Sequence, residues 1–304
     1  MARLVLRTPV VRLHAEGEPA EIWLKLESLQ PIGSFKLRGA ANAVLSAPPE
    51  SLAGGLVTTS MGNMAQGVCW MARELGVPAT VVAPDTAPAT KLAAVERLGG
   101  RVVQVPWEEW WAAMERGAVE GVEGHFVHPV RDEAVMAGNG TIGLELVEDL
   151  DRFDAVLVPW GGGGLTTGIA SAVRALRPET AIYACEPETA APVTAALANG
   201  GEPVQVPYAP SFVDGAGASG LLPGVWAHAR ELVTDAFAVP LADAAAAVRL
   251  LVERRRIVAE GAGALAVAAA LAGRAGTGRV VCIVSGGNID SDRLVAILAG
   301  RVPD

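Results

Sequence analysis

The sequence predicts an α/β fold in which mostly parallel sheets are covered by helices on both faces. Short runs rich in β-branched residues alternate along the chain with longer stretches rich in alanine and leucine. This is the order produced when helices connect successive parallel strands. Many of the short runs are apolar at consecutive positions, which is typical of strands buried on both faces. No repeat of fixed period and no low-complexity linker interrupts the alternation, so any domain boundary must lie within it.

Nine segments are predicted to be strands and six to be helices. The strands are EIWLKLE (21–27), GLVTTS (55–60), ATVVAP (79–84), RVVQVP (101–106), HFVHP (125–129), DAVLVPW (154–160), AIYACEP (181–187), DAFAVP (235–240) and RVVCIVSGG (279–287). The helices are NMAQGVCWMARELG (63–76), ATKLAAVERLGG (89–100), TIGLELVEDL (141–150), LTTGIASAVRALRP (165–178), LADAAAAVRLLVERRRI (241–257) and GALAVAAALAG (263–273). In such folds, ligands bind at the carboxyl ends of the strands.

Composition and charge argue against several classes of protein. The formal net charge of −9 is unsuited to nucleic acid or anionic lipid, and the one basic cluster, ERRRI at 253–257, is predicted to be a solvated helix face. The longest apolar run, 262–272, is about half a membrane span, and the N-terminal arginines differ from a signal peptide's apolar core. We therefore expect a cytoplasmic protein that binds neither membrane nor nucleic acid. The cysteines are far apart among apolar residues and are expected to be buried thiols: Cys69, Cys185 and Cys282.

A run of four glycines in DAVLVPWGGGGLTTGIA predicts a phosphate site. The glycines stand between a predicted strand and a predicted helix, where a backbone without Cβ atoms can close on a ligand and the helix N-terminus attracts an anion. A tight-packing turn is the alternative. A nucleoside-triphosphate loop is excluded because no lysine follows the glycines. The dinucleotide motif GxGxxG also fails at Thr166 and Thr167, and only Glu186, about twenty residues on, favours it.

Only three of the 24 basic residues are lysines, and one lies in an apolar, glycine-bounded segment. This residue is Lys36 in SLQPIGSFKLRG, whereas Lys25 alternates with apolar residues as if on the polar face of a strand, and Lys91 lies on an amphipathic helix. Pyridoxal phosphate requires a phosphate site and an accessible lysine amine for its aldehyde. This cofactor would account for both the glycine run and Lys36.

Six segments in order resemble a known family. They are LKLESLQPIGSFKLRGA, TTSMGNMAQGV, VHPVRDEAVMAGNGTIGLELVEDL, VPWGGGGLTTGIA, EGAGALAVAA and VCIVSGGNID. Together, from about residue 8 to 292, the chain resembles the threonine/serine dehydratases (threonine ammonia-lyases) of the tryptophan-synthase-β-like, fold-type II pyridoxal phosphate enzymes. The resemblance implies two open, mostly parallel twisted sheets, a large cofactor domain at 1–52 and 133–304, and a small domain at 53–132. It also implies a homodimer, and no C-terminal regulatory domain is expected.

The resemblance assigns the cofactor contacts residue by residue. Lys36 forms the Schiff base, and Phe35 and Gly215 are the two walls against the pyridine ring. Asn63 bonds the cofactor's 3′ oxygen, and Ser285 faces the ring nitrogen with a hydroxyl instead of a carboxylate, which makes the ring a weaker electron sink. The backbone that holds the phosphate is that of Gly161, Gly162, Gly163, Gly164 and Leu165.

The implied reaction is α,β-elimination from a β-hydroxy amino acid such as L-threonine or L-serine, giving a 2-oxo acid and ammonia. Lys36 would remove the α-proton, while Ser60 and Asn63 would bind the substrate carboxylate; for Ser60, a simple helix cap is the alternative. Other readings stay open: a racemase of the same fold, a dehydratase for an aryl or second-carboxylate side chain, a nucleotide-dependent oxidoreductase, or a non-catalytic cofactor carrier.

Several positions depart from the family pattern. Met61 and Met64 stand where the family loop has serine and histidine, and Trp160 replaces a small residue before the glycines. Arg131 lies at a commonly neutral or acidic position, where it is either a surface charge or a ligand for a second substrate carboxylate. Because a thioether cannot donate a proton, Met61 predicts little inversion of the substrate.

No metal site is expected. Some relatives bind a metal with a glutamate at the position of Glu186 and an acidic residue six further on, which here is Pro192. Glu186 is therefore predicted to be structural. The four histidines show no ligand spacing, and His128 before Pro129 is predicted to pack at a strand end.

Overall fold

The structure, a computed structural model, describes residues 4–60, 62–87 and 89–304. Its contacts divide the chain into two compact units. Among the described residues, the four-stranded unit comprises 4–6 and Gln30–Asn139, and the six-stranded unit comprises Arg7–Leu29 and Gly140–Asp304. Each unit is named after its sheet.

The described residues form ten strands and eleven α-helices. The strands are β1 (Val10–Arg12), β2 (Glu21–Leu26), β3 (Leu56–Thr58), β4 (Ala79–Pro84), β5 (Arg101–Val105), β6 (His125–Phe126), β7 (Ala155–Pro159), β8 (Ala181–Pro187), β9 (Asp235–Val239) and β10 (Arg279–Val284). The helices are α1 (Lys36–Ser46), α2 (Asn63–Leu75), α3 (Ala89–Arg97), α4 (Trp107–Arg116), α5 (Glu133–Asp149), α6 (Gly164–Leu176), α7 (Pro192–Ala198), α8 (Pro223–Ala229), α9 (Leu241–Leu250), α10 (Gly261–Leu271) and α11 (Ser291–Leu298). All nine predicted strands and all six predicted helices are confirmed, whereas β1 and the helices α1, α4, α7, α8 and α11 were not predicted.

Both sheets are mostly parallel, which confirms the predicted fold class. The six-stranded sheet has the order β1-β2-β10-β7-β8-β9, in which only β1 is antiparallel to its neighbour. The four-stranded sheet has the order β5-β4-β3-β6 and is parallel throughout. Because β7 and β10 are neighbours with the same direction, the turns that follow them emerge side by side at the carboxyl edge of the six-stranded sheet.

The division into units differs from the predicted domain boundaries over residues 4–6, 30–52 and 133–139, which belong to the four-stranded unit. Helix α1 lies against α2 in this unit. A Cβ on Gly67 of α2 would lie 3.2 Å from Ala40 and 3.3 Å from the carbonyl oxygen of Lys36. A glycine at this position lets the two helices approach closely, and so the segment that carries Lys36 packs on the helix that follows β3.

Helix α10 forms the centre of the core of the six-stranded unit. It packs on β7, β8 and β10, and its residues from Gly261 to Ala270 are all buried. A helix that is apolar on every face is expected to be enclosed by other elements. A Cβ on Gly263 would lie 2.4 Å from the carbonyl oxygen of Gly286, so the helix reaches the turn after β10 only because this residue is glycine.

The three cysteines are buried, as predicted. Cys69 lies in the four-stranded unit, where burial raises its pKa to about 11. Cys185 and Cys282 lie in the six-stranded unit and are fully enclosed, and burial raises the pKa of each thiol well above its ordinary value. All three side chains are therefore protonated, unreactive thiols in the folded protein.

The structure bears on two expectations, that the chain has no membrane span and that its basic cluster faces solvent. No helix among the described residues is both long enough and apolar enough to cross a membrane. The basic cluster begins in a π-helical turn, Leu251–Arg255, that continues α9. Arg254 and Arg256 are exposed, whereas Arg255 between them is half-buried, so the predicted solvated face holds for two of the three arginines.

The prediction that Lys25 lies on a polar strand face is wrong. Its side chain is completely buried in the six-stranded unit. Its Nζ donates to the Thr8 carbonyl oxygen at 2.7 Å and to the Glu145 carboxylate at 2.6 Å, and it lies 3.7 Å from the Asp149 carboxylate. Charged groups are rarely this buried unless they are paired, and alternation with apolar neighbours could not reveal carboxylates more than a hundred residues away.

Replacement of Lys25 by alanine is expected to lower the free energy of unfolding by about 3 kcal/mol, since it leaves a carboxylate without its buried partner. The matched control is Arg249→Ala, which removes the exposed Arg249–Glu253 pair and should cost less than about 1 kcal/mol. Urea denaturation of both holoenzyme variants checks this. Equal shifts of the two midpoints would show that Lys25 is not a buried ion-pair partner.

Candidate active site

A tight turn places Lys36 at the start of α1. The N–H of Gly33, which has φ +71°, donates to the carbonyl oxygen of Gln30 at 2.7 Å. The hydroxyl of Ser34 accepts the backbone N–H of Lys36 at 3.3 Å, and Phe35 is the N-cap residue of the helix. The sequence PIGSFK thus forms a turn that fixes the backbone of Lys36, and its side chain leaves from the first residue of a helix.

The amine of Lys36 lies beside the aromatic ring that precedes it. Its Nζ is 5.1 Å from the ring centroid of Phe35 and donates a hydrogen bond to the carbonyl oxygen of Pro129 at 3.2 Å. Both Phe35 and Lys36 are half-buried, so the amine is partly shielded from water. The structure therefore brings together the aromatic ring and the lysine that the sequence predicted as neighbours.

The predicted substrate loop follows β3 and leads into α2. Ser60 and Asn63 are both half-buried, and Asn63 is the first residue of α2. The hydroxyl of Ser60 accepts the backbone N–H of Gly62 at 3.3 Å, and Gly62 itself is the N-cap residue. Ser60 thus stabilises the turn before the helix and is not the cap. Met64, which stands where the family loop has histidine, is buried in the core of the four-stranded unit, and Met61 lies outside the described residues.

In the six-stranded unit, the glycine run forms the turn from β7 into α6. Gly163 is the N-cap residue and has a φ of +90°, a conformation that favours glycine. A Cβ at Gly163 would lie 2.7 Å from the Trp160 ring and 2.8 Å from Val225. The carbonyl oxygen of Gly163 accepts the Thr167 hydroxyl at 2.9 Å, so the turn is held in one shape.

Gly215 and Ser285 lie at the same edge of the six-stranded sheet. A Cβ on Gly161 would lie 3.3 Å from the carbonyl oxygen of Gly215, so these two segments are in close contact. Ser285 follows β10 directly and is 3% exposed. The order of the strands thus brings Gly161 after β7 and Ser285 after β10 to neighbouring positions, with Gly215 packed against the first.

The sequence reasoning missed Glu260, a buried acid in this region. It is 7% exposed, its N–H donates to the carbonyl oxygen of Gly286 at 3.0 Å, and its Oε1 lies 3.5 Å from a Cβ placed on Gly215. It is the N-cap residue of α10. The signal that could have found it is a single acidic residue just before the most apolar helix of the chain.

Trp160 and Arg131, which depart from the family pattern, lie in very different environments. Trp160 is buried, packs edge-on against Trp226 at 6.1 Å between ring centroids, and lies under the glycine turn. Arg131 is exposed, and its guanidinium donates to the carbonyl oxygen of Glu115 at 3.4 Å. This position agrees with the interpretation of Arg131 as a surface charge.

The Glu186 side chain accepts hydrogen bonds at the start of α7. Its carboxylate accepts the N–H groups of Val193 and Thr194 and the hydroxyl of Thr194, each at 2.9 Å. Burial raises its pKa, and these three hydrogen bonds oppose that rise. The carboxylate therefore stabilises the N-terminus of α7. No group of three or more histidine, cysteine or acidic side chains within the described ranges is placed to hold a metal ion.

The residues present fit pyridoxal phosphate. A half-buried lysine amine beside an aromatic ring suits its aldehyde, and a glycine turn that a Cβ would fill, at a helix N-terminus, suits its phosphate. A family model described as pyridoxal-phosphate dependent enzyme matches residues 1–286. The chain belongs to this family. Its cofactor is therefore pyridoxal phosphate, which decides against the dinucleotide alternative.

Individual members of the family match most of the chain. It is 41% identical over 303 residues to the L-threonine ammonia-lyase of Geobacter sulfurreducens, covering 95% of this chain and 73% of the relative. Two solved structures are similar: threonine deaminase isoform 2 of Solanum lycopersicum (30% identity, TM-score 0.86, 98% and 88% of the two chains) and maize serine racemase (32%, 0.85, 98% and 93%). The fold-type II class is thereby confirmed.

Gly163→Ala is expected to raise the Kd for pyridoxal phosphate by at least about tenfold, because the new methyl would collide with Trp160 and deform the turn. Gly200→Ala is the matched control: its φ is +69° and nothing lies within 4 Å of an added Cβ, so it carries the same backbone strain without the collision. Cofactor titration followed by visible absorption measures both. If the two variants bind the cofactor equally well, the glycine turn does not hold the phosphate.

Proposed function

We propose that this chain is a pyridoxal phosphate-dependent ammonia-lyase that converts a β-hydroxy amino acid, L-threonine or L-serine, to a 2-oxo acid and ammonia. The observation that carries the proposal is the half-buried Lys36 amine beside the Phe35 ring. The similarity to the L-threonine ammonia-lyase of Geobacter sulfurreducens over 95% of this chain supports this choice of reaction. The predicted homodimer and cytoplasmic location stay predictions.

In the four-stranded unit, Lys36 carries the amine that bonds to the cofactor aldehyde, and Phe35 flanks the pyridine ring. The alternative lysine Lys25 is excluded by its position, since its nitrogen is completely buried and committed to the carbonyl of Thr8 and the carboxylate of Glu145. An ammonium held in this way has no accessible lone pair with which to attack an aldehyde.

In the six-stranded unit, the backbone from Gly161 to Leu165 takes the phosphate. Gly215 forms a ring wall, and the contact of its carbonyl oxygen with Gly161 supports this assignment because ring and phosphate belong to one small molecule. Ser285 gives the ring nitrogen an uncharged partner. A hydroxyl does not stabilise a proton on that nitrogen as a carboxylate would, which favours prompt loss of the β-substituent over side reactions.

Side chains and a helix end of the protein carry out the other parts of the proposed reaction. When bound, pyridoxal phosphate withdraws electrons from the substrate's α-carbon and so makes the α-proton acidic. Lys36 would take that proton as general base. Asn63, the first residue of α2, and Ser60, in the turn before this helix, bind the substrate carboxylate and hold the α-carbon in reach of the lysine. Helix N–H groups at this end of α2 add a partial positive charge that suits a carboxylate.

A second candidate, amino-acid racemisation, is favoured by the structural similarity to maize serine racemase. Racemisation requires a second acid–base group on the face of the α-carbon opposite the lysine. In the family pattern a serine hydroxyl stands at the position of Met61, and a thioether cannot donate a proton. We therefore place elimination first.

Borohydride reduction of the holoenzyme is expected to label Lys36 alone. With only three lysines in the chain, peptide mapping resolves the site without ambiguity. Lys36→Ala should abolish both the visible cofactor band and 2-oxo acid release, since one amine serves as the bonding group and the base. A label on Lys25 or Lys91 would refute the assignment.

Chiral analysis of the residual substrate distinguishes elimination from inversion. After partial reaction of L-serine or L-threonine in deuterated water, deuterium at the α-carbon should appear, if at all, with retention, because Met61 supplies no acid to the opposite face. Met61→Ser is the matched variant and should increase inversion. The proposal fails if the wild type forms the product inverted at the α-carbon as fast as the 2-oxo acid.

A further inference from the structure

The turn at residues 128–131 of the four-stranded unit is organised by a histidine ring. The Nδ1 of His128 accepts the backbone N–H of Val130 at 3.1 Å and that of Arg131 at 2.9 Å. Its Nε2 lies 3.1 Å from the carbonyl oxygen of Met114. A backbone N–H only donates and a carbonyl only accepts, so these partners require a neutral ring that carries its hydrogen on Nε2.

The hydrogen bonds of this ring connect the turn to the end of α4. Met114 lies in the last turn of α4, where carbonyl groups have no donor within the helix. His128 supplies a donor to that helix end, and the guanidinium of Arg131 donates to the next carbonyl, that of Glu115. At its other end the turn leads into α5, where the carboxylate of Asp132 accepts the N–H of Ala134 at 2.8 Å.

Inside this turn, the carbonyl oxygen of Pro129 accepts the Lys36 amine at 3.2 Å. Pro129 is buried and stands between His128 and the two N–H groups that the ring holds. The direction of its carbonyl therefore depends on the His128 contacts. A carbonyl oxygen suits an amine that alternates between neutral and protonated forms, because it accepts a hydrogen bond from both and binds the ammonium more strongly.

We propose that His128 is a positioning residue for Lys36, whose ring shapes the 128–131 turn so that the Pro129 carbonyl holds the lysine amine whenever that amine is not bonded to the cofactor. This inference rests on the proposed role of Lys36 as base. The rate acceleration that a general base provides depends strongly on its position, since a displacement of the base by about 1 Å can lower the rate about 100-fold. His128 thus does more than the strand-end packing predicted for it.

The charge state of the ring makes the arrangement depend on pH. A proton on Nδ1 would face the N–H groups of Val130 and Arg131 and break both hydrogen bonds. Burial lowers the pKa of His128; the Met114 carbonyl and the charge of Asp132 oppose that change, while the positive charges of Arg131 and Lys36 add to it. The ring is therefore neutral at neutral pH, and the turn is lost only as the pH falls through the lowered pKa.

The test combines NMR of the holoenzyme with kinetics of three variants. Long-range ¹H–¹⁵N spectra give the tautomer and pKa of each histidine, and the His128 signals are identified by their absence in His128→Asn. His128→Ala removes every ring contact, whereas His128→Asn keeps an acceptor oxygen at the place of Nδ1. His228→Ala is the control, since His228 is exposed in the six-stranded unit.

In the wild type we expect the Nε2–H tautomer and an acid limb of the kcat profile that follows the NMR pKa of His128. His128→Ala should lower kcat by about 10- to 100-fold and raise the isotope effect of α-deuterated substrate, with KM and the visible cofactor band nearly unchanged. His128→Asn should recover most of kcat and lose the acid limb, and His228→Ala should match the wild type.

The outcomes separate this inference from the proposed function. A ring with its hydrogen on Nδ1, equal kcat values and isotope effects for the alanine and asparagine variants, or an acid limb that persists in His128→Asn would each overturn the positioning role alone. If the wild-type cofactor is bonded to another lysine, the proposed function fails and this inference fails with it. The NMR result needs no active variant, so it stands even if His128→Ala does not fold.

Discussion

The six-stranded unit depends on backbone segments that come closer together than a side chain would permit. At its carboxyl edge, added Cβ atoms would lie 3.3 Å from Gly215 for Gly161, 2.4 Å from Gly286 for Gly263 and 2.7 Å from Val258 for Gly287. These contacts fix the turn after β7 against the segment that carries Gly215, and the turn after β10 against α10 and the residues before it. These close contacts help to set the positions of the groups that are proposed to touch the cofactor in this unit. The main contribution of these glycines is therefore the space left by the missing side chain, and not backbone flexibility.

Much of this architecture could be predicted because it is recorded in local patterns. The apolar runs that became β7, β8 and β10 are uninterrupted, and the glycine run lies where a strand turns into a helix. The helix α1 was missed because it begins at Lys36 in a segment whose glycines and proline suggest a loop. Strand β1 has only three residues, and it pairs with β2 in the direction opposite to all other pairs of its sheet.

The parts that could not be predicted depend on partners distant in sequence. Lys25 is paired with Glu145, 120 residues away, and Lys36 with Pro129, 93 residues away. The sequence around each lysine does not show these partners: the Lys25 amine is enclosed between a carbonyl and a carboxylate, and the Lys36 amine is half-buried beside an aromatic ring. Glu260 and the hydrogen bonds of the His128 ring were missed for the same reason, since the roles of both side chains come from backbone groups that only the folded chain brings near.

The placement of the three cysteines gives each unit an internal probe of its own opening. Cys69 reports on the four-stranded unit, while Cys185 and Cys282 report on the six-stranded unit. Since burial suppresses the thiolate of each, a thiol reagent reaches them only when the surrounding structure opens locally or globally. The order in which the three become modified therefore shows which part of the enzyme loosens first under heat or denaturant, without any label having to be engineered into the chain.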